Sequence, residues 1–423
     1  MAQSSGTTST LGPGTGTASR TAIPGWLVAL LAVATGLSVA NLYYAQPLLS
    51  TLAPAFGVSA ATVGALVTVT QIGYVLGMLF LVPLGDRFEK RRLVSILLGV
   101  TTVAMAVGGA ATGFSMLVLA SLVSGATSVV AQILVPFAAS LAPDHTRGRI
   151  VGRVMAGLLT GILLSRTLSS LVAGAAGWRV VYLGSAVLMA LLAVGLRFAL
   201  PKHAPTTDLP YHQVLRSTAK LVRTHPALMR RGLYQAALFA TFSAFWTTVS
   251  FLLTGPAFHY PASGVGIFAL VGAAGVVVAP VVGRWADRGL GRPLTGAALL
   301  IGALGAFVAG LGGHNVVLLA LAAILLDIAV QTSLILGQHV VYQLDPSARA
   351  RLNSVFIATF FAGGAVGSQL GTIVYHAYGW WAVSILGTAL PLLALLYWTT
   401  ERRAEHSSDT NSAEGADSGL SVN

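Results

Sequence analysis

The chain has 423 residues, of which 55% are hydrophobic and only 9% charged. A soluble protein carries roughly 25% charged residues, so this composition excludes a water-soluble fold and indicates an integral membrane protein. The net charge of +12 does not point to nucleic acid, because the cations sit in short loops beside apolar runs, and the lack of cysteine excludes disulfide and thiol chemistry.

Residues 1–23 are rich in Ser, Thr and Gly, lack a basic region ahead of the first apolar run, and read as a disordered tail. Apolar segments of spanning length follow near 25–49, 60–84, 93–112, 115–137, 150–173 and 179–199. A polar stretch of 201–231 separates them from six more, near 232–254, 262–282, 293–312, 315–338, 352–374 and 380–399. Residues 401–423 again read as a disordered tail. The expected organisation is therefore a six-span unit over 24–200, a linker over 201–231 and a second six-span unit over 232–400.

The two units are copies. Leu84-Gly85-Asp86-Arg87-Phe88-Glu89-Lys90-Arg91-Arg92 is echoed about 200 residues on by Gly283-Arg284-Trp285-Ala286-Asp287-Arg288-Gly289-Leu290-Gly291-Arg292. Arg147-Gly148-Arg149 recurs as Arg349-Ala350-Arg351, and Gly177-Trp178 recurs as Gly379-Trp380. A duplicated helical bundle is the plan of a transporter. Of the 24 Lys and Arg, 22 fall on one side of this arrangement, which places both termini and the linker in the cytoplasm.

Glycines four apart, which let helix backbones approach, mark helix contacts. They are Gly73 and Gly77 in span 2, Gly157 and Gly161 in span 5, and Gly363, Gly367 and Gly371 in span 11; span 8 has Gly272 and Gly275. Spans 2 and 11, and spans 5 and 8, are expected to join the two halves through these residues. The alternative is packing within one half.

The paired Asp-Arg loops resemble the signature loop of the major facilitator superfamily, Gly-x-x-x-Asp-Arg-x-Gly-Arg-Arg. Asp86, Arg87, Arg91 and Arg92 fit it, while Val82 and Glu89 replace its glycines; Gly283, Asp287, Arg288, Gly291 and Arg292 fit it closely. The resemblance covers residues 24 to 400. A narrower similarity, to bacterial drug:proton antiporter-like and arabinose-efflux-permease-like members of the acriflavine-sensitivity group, rests on three strings. These are Ala40-Asn41-Leu42-Tyr43-Tyr44-Ala45-Gln46-Pro47-Leu48-Leu49, Arg349-Ala350-Arg351-Leu352-Asn353 and Phe361-Ala362-Gly363-Gly364-Ala365-Val366-Gly367-Ser368. Ser121 stands where many drug antiporters carry a span 4 arginine, and their Gly-Pro pair in span 5 is missing. The resemblance implies an all-α membrane protein with 12 transmembrane helices in two pseudo-symmetric six-helix bundles. It implies a bacterial inner membrane, a monomer, and a central pocket lined by spans 1, 4, 7 and 10.

Eleven of the twelve acidic residues lie in loops or tails; Asp327 alone lies within a span, the tenth. An ionised carboxylate there costs a few kcal/mol or more unless paired or hydrated, so such acids serve function by default. Arg166 is the one basic residue deep inside a span, away from the span ends. A cation beside Asp327 favours its charged form, while burial favours the neutral one, and switching between these environments couples a proton to transport. The alternatives are an Asp327 bonded structurally to a neighbouring helix and an Arg166 snorkelling to the outer surface.

Polar residues in apolar helices mark a cavity. Those expected to line it are Asn41, Tyr44, Gln71, Tyr74, Gln132, Trp246, Gln331 and Gln338; span 7 adds Ser243, Thr247 and Ser250. Asp86, Arg87, Arg91, Asp287, Arg288 and Arg292 are expected to brace and release helices as the halves rock. No metal-ligand spacing, catalytic triad or phosphate loop is present, so no cofactor and no enzymatic activity are expected.

The reading is a proton-coupled secondary transporter exporting a small organic or drug-like compound. A second reading is proton-coupled import of an organic anion held by Arg166, and a third is a non-transporting membrane sensor. Because the chain lacks cysteine, topology is testable with single substitutions. Arg92→Cys is expected to react with an impermeant maleimide only in inside-out vesicles, and Thr112→Cys only in intact cells; the reverse pattern would invert the orientation.

Overall fold

In the computed structural model, residues 23–143, 145–202, 210–273, 281–345 and 348–401 are described, except for the side chains of 273, 286 and 287. The expectations for both tails, for part of the linker and for Gly275 fall outside these residues. Twelve spans are accounted for. Among the described residues, nine helices are long and apolar enough to cross a membrane, and the last of them, Arg349–Thr399, is two spans joined at Gly379. Gly25–Ala40 and Ala262–Gly272 supply the other two. The rest are Ala60–Arg87, Lys90–Gly109, Phe114–Leu141, Arg147–Ala176, Trp178–Ala199, Pro226–Thr254, Arg288–His314 and Val316–Leu344. In chain order these are spans 1 to 12, with a linker helix, Tyr211–Thr224, between spans 6 and 7.

The repeat is visible in local chemistry. Arg147 Nε donates to the Ala139 carbonyl at 3.2 Å, and its counterpart Arg349 Nε donates to the Tyr342 carbonyl at 2.9 Å. Gly177 and Gly379 turn the chain from span 5 to 6 and from span 11 to 12 at φ of 88° and 79°. Those angles lie in the left-handed region, where a side chain is strained. The tryptophan that follows each glycine is buried at the start of the next span.

Span 1 departs from the continuous helix expected over 25–49. It is helical over Gly25–Ala40, loosens through residues 41–45, tightens into a single turn at Gln46–Leu48 and resumes as Leu49–Phe56. Pro47 is the cause. It has no N–H to give the Tyr43 carbonyl, and its ring crowds that carbonyl, so the regular ladder stops there. The chain continues on three-residue bonds, Leu42 N to Val39 O at 3.1 Å and Tyr43 N to Ala40 O at 3.0 Å.

Within the first half, span 1 packs on span 5, span 2 on span 4 and span 3 on span 6; within the second, span 7 packs on span 11 and span 9 on spans 10 and 12. The halves meet through spans 2 and 11 and through spans 5 and 8. The glycine stripes, however, lie inside the halves. A Cβ on Gly73 or Gly77 would strike the span 4 backbone at Leu122 or Ala126. Gly157 and Gly161 abut Ala32 and Gly36 of span 1, and Gly363, Gly367 and Gly371 abut Ala236, Ala240 and Ala244 of span 7. Gly272 packs on Trp246 and Asp327 of its own half. The seam is held largely by side chains, with close approaches at Gly64 to Thr372 and at Gly266 to Ser170 and Thr167. Thr68 Oγ1 meets Ser368 Oγ and Gln369 Oε1, each at 3.2 Å, and Thr167 Oγ1 donates to the Gly266 carbonyl at 2.9 Å.

These seam contacts lie toward the end remote from the chain termini. At the other, basic end a crevice remains between the halves, lined by Pro83, Asp86, Lys90 and Gln132 on one side and Arg351 and Asn353 on the other.

The tight span 7–11 contact predicts the effect of a methyl group. A Cβ on Gly367 would stand 2.1 Å from the Ala240 carbonyl oxygen, whereas one on Gly184 meets nothing within 4 Å. Gly367→Ala is expected to cost about 1–3 kcal/mol and to lower the thermal unfolding midpoint in detergent. Gly184→Ala is expected to leave it unchanged.

Candidate functional site

The break in span 1 turns Tyr43 and Gln46 toward span 5, where Arg166 is only 4% exposed. Arg166 Nε donates to Gln46 Oε1 at 2.7 Å. The guanidinium carbon lies 4.6 Å from the centre of the Tyr43 ring, 4.9 Å from Trp246 and 5.5 Å from Phe242. Tyr43 and Gln46 belong to the first half, and Phe242 and Trp246, one turn apart on span 7, to the second. The cation therefore sits at the seam in an aromatic box. Aromatic faces attract a guanidinium most strongly where water is excluded. Snorkelling to the outer surface is ruled out by this burial.

The box leaves polar atoms open. Among the described residues Arg166 Nη2, Trp246 Nε1 and Thr247 Oγ1 are buried without hydrogen-bond partners. So is Asp327 Oδ2, although the residue as a whole is half-buried. No ion pair within 4.0 Å joins Asp327 to Arg166. Trp246 borders both: its ring faces the guanidinium, and its Cζ2 packs with Asp327 Oδ2 against Gly272, 3.4 and 3.0 Å from where a Cβ would stand. Acid and cation are close enough for their charges to interact, but an indole edge stands by them.

The other expected cavity residues divide into groups. Gln71 crosses the seam, donating from Nε2 to Ser243 Oγ at 3.0 Å, and its Oε1 is unpartnered. Tyr74 accepts from Gln132 Nε2 at 3.1 Å, and its ring centre lies 4.4 Å from that of Phe361 of the opposite half, the planes tilted by 49°. Gln338 Nε2 donates to Asn353 Oδ1 at 3.2 Å, near the crevice at the basic end. Gln331 is half-buried one turn beyond Asp327. Asn41 is placed elsewhere: its Oδ1 accepts from Ser185 Oγ of span 6 at 2.6 Å, and Tyr44 contacts the same serine. The loosened turn points these two into the first half and points Tyr43 and Gln46 at Arg166. Ser250 bonds its own helix at the Thr247 carbonyl, 3.2 Å away.

Two of the loop arginines make contacts within their own halves. Arg91 Nη1 reaches the Leu200 carbonyl at 3.4 Å, and the Arg292 guanidinium lies 5.6 Å over the Trp398 ring. Asp86 lines the crevice, Arg87 and Arg288 are exposed, and the Asp287 side chain lies outside the described residues. Gln46-Pro47 inside an apolar run is a polar signal in the sequence, whereas nothing in the sequence marks Tyr43, Phe242 and Gly272 for the site.

A sequence profile described as Major Facilitator Superfamily matches residues 31–342 and 277–421. The chain belongs to the Major Facilitator Superfamily. It is 41% identical over 372 residues to an uncharacterized transporter, YgaY, of Escherichia coli O157:H7, covering 88% of this chain and 94% of that one. It is 26% identical to a probable sugar efflux transporter of Helicobacter acinonychis, covering 83% of this chain and 88% of the relative. The crystal structure of the nucleoside transporter NupG (D323A mutant) superposes with a TM-score of 0.73 at 14% identity, covering 88% of this chain and 99% of that one, a likeness of fold. This superfamily member is thus a multi-pass membrane transporter for a small molecule and not an enzyme.

Gln46 is the one hydrogen-bond acceptor of Arg166 among the described residues. Gln46→Leu leaves a buried cation without any and is expected to cost about 1–3 kcal/mol, read as a lower unfolding midpoint. Gln46→Glu, which keeps an acceptor, is expected to retain stability.

Proposed function

We propose that this transporter is proton-coupled, works by alternating access in a bacterial inner membrane with both termini cytoplasmic, and exports a small organic compound. The observation that carries the coupling is the unpartnered Asp327 Oδ2 beside the seam, with Arg166 near but not bonded to it. In apolar surroundings a lone carboxylate is costly and takes a proton; with a cation at hand the charged form is stabilised. Rocking of the halves changes the second-half wall of the box relative to Arg166, and with it the hold on that proton. The seam contacts at one end and the crevice at the other support reading this arrangement as the state open toward the basic end. The alternating partner state opens where Thr68, Thr167 and Ser368 now meet.

The export direction draws on the resemblance of the Asn41–Leu49 string to efflux permeases and on the relative named for sugar efflux. Asp86, Arg91 and Arg292 keep each half rigid at its basic end while the halves move.

The test uses proteoliposomes loaded with a pH-sensitive dye, with compounds selected by thermal shift of the purified protein. Wild type is expected to move protons when a binding compound is added on one side. Asp327→Asn is expected to keep the thermal shift but move no protons and to lose accumulation driven by a pH gradient. Accumulation at the wild-type rate in Asp327→Asn would make the acid structural and end the reading.

A further inference from the structure

We infer that the transported compound is a small organic anion whose charge is taken by the free edge of the Arg166 guanidinium, and that anion and proton occupy the carrier together. The inference rests on the reading of the seam as the substrate site, and not on the direction of transport.

Three features point to an anion. The guanidinium is buried with Nη2 unpartnered, a condition that is costly for a charged donor and that a ligand oxygen would relieve. The Nε edge is already taken by Gln46, so one edge of the fork remains, suited to a carboxylate oxygen. The neighbouring open atom on span 7, Trp246 Nε1, is also a hydrogen-bond donor. A ligand that offers acceptors at one end and an apolar body against Tyr43, Phe242 and Trp246 satisfies all of these groups. A neutral sugar brings acceptors but no counter-charge for the guanidinium, and an organic cation adds a second positive charge.

Charge bookkeeping then couples the anion to the proton. Arg166 and Tyr43 are the charged or titratable groups that interact with Asp327 among the described residues; spans 7 and 8 face it with Trp246 and Gly272. With Asp327 ionised, Arg166 is already partly compensated, and an arriving anion meets a like charge. With Asp327 protonated, the site carries one uncompensated cation and accepts one anion. Each ligand therefore strengthens the other. The two cross together, and the combined gradient of anion and proton sets the direction in which both move.

The test reads binding alone. The purified full chain is screened by thermal shift with matched probes: benzoate, benzamide and benzylamine, and butyrate, butyramide and butylamine. Carboxylates are expected to stabilise the protein and their amides and amines to fail. Arg166→Gln is expected to weaken carboxylate binding by about tenfold or more. Arg166→Lys, which keeps the charge, is expected to restore part of it, and so guards against a folding defect. Between pH 5.5 and 8.5 the affinity is expected to rise as pH falls, approaching tenfold per unit on the alkaline side, and Asp327→Asn is expected to abolish that slope while retaining binding. Equal shifts from the amides, a preference for amines, no carboxylate-selective shift, or a pH slope that survives Asp327→Asn would overturn the proposal. Carboxylate selectivity without proton movement in the liposomes would leave the anion site standing and remove the coupled-transport reading; proton-coupled flux of a neutral compound would do the opposite.

Discussion

A bilayer offers no hydrogen bonds, and that constraint decides how this chain is built. Each backbone N–H and C=O in the hydrocarbon must be satisfied by its own helix or by protein around it. Helices are therefore the default, and an irregular stretch survives only where other helices cover it. The loosened turn at residues 41–45 is such a place, with each of its residues buried. The same constraint makes a charged side chain in a span conspicuous, because nothing but protein can compensate it.

The two kinds of helix contact follow different physics. Inside each half, glycines bring backbones to touching distance, so the packing has many small attractive contacts and no room for adjustment. Across the seam, hydroxyls and amides meet in pairs such as Thr68 with Ser368 and Gln71 with Ser243. A hydrogen bond of this kind contributes about 1 kcal/mol net, since its partners find other partners when it breaks. Rigid halves and a weakly held seam are what rocking motion needs.

The box around Arg166 joins these themes. Its walls come from both halves, so the environment of the cation changes whenever the halves move. Aromatic rings hold the guanidinium by their faces and leave its edges for hydrogen bonds. Gln46 takes one edge, and the other is open.

Much of this was legible in the chain itself. The duplication, the twelve spans and the two ionisable residues inside them follow from one-dimensional facts: the length of apolar runs, the register of Asp86 with Asp287 and of Gly177 with Gly379, and the rarity of charge in a membrane. The pairing of spans 2 with 11 and 5 with 8 followed from the repeat. Which way each side chain turns did not. The glycines of spans 2, 5 and 11 mark close contacts, but their spacing is the same whether the partner is in one half or the other. Asn41 and Gln46 are both polar residues in the same span, and only the turn enforced by Pro47 sends one to Ser185 and the other to Arg166. Asp327 and Arg166 are distant in sequence, and that Trp246 borders both is a matter of three helices meeting. Composition and periodicity determined that this chain is a duplicated membrane transporter. Only the packing of the spans decided what surrounds its buried charges, because that depends on rotations about helix axes which no local pattern fixes.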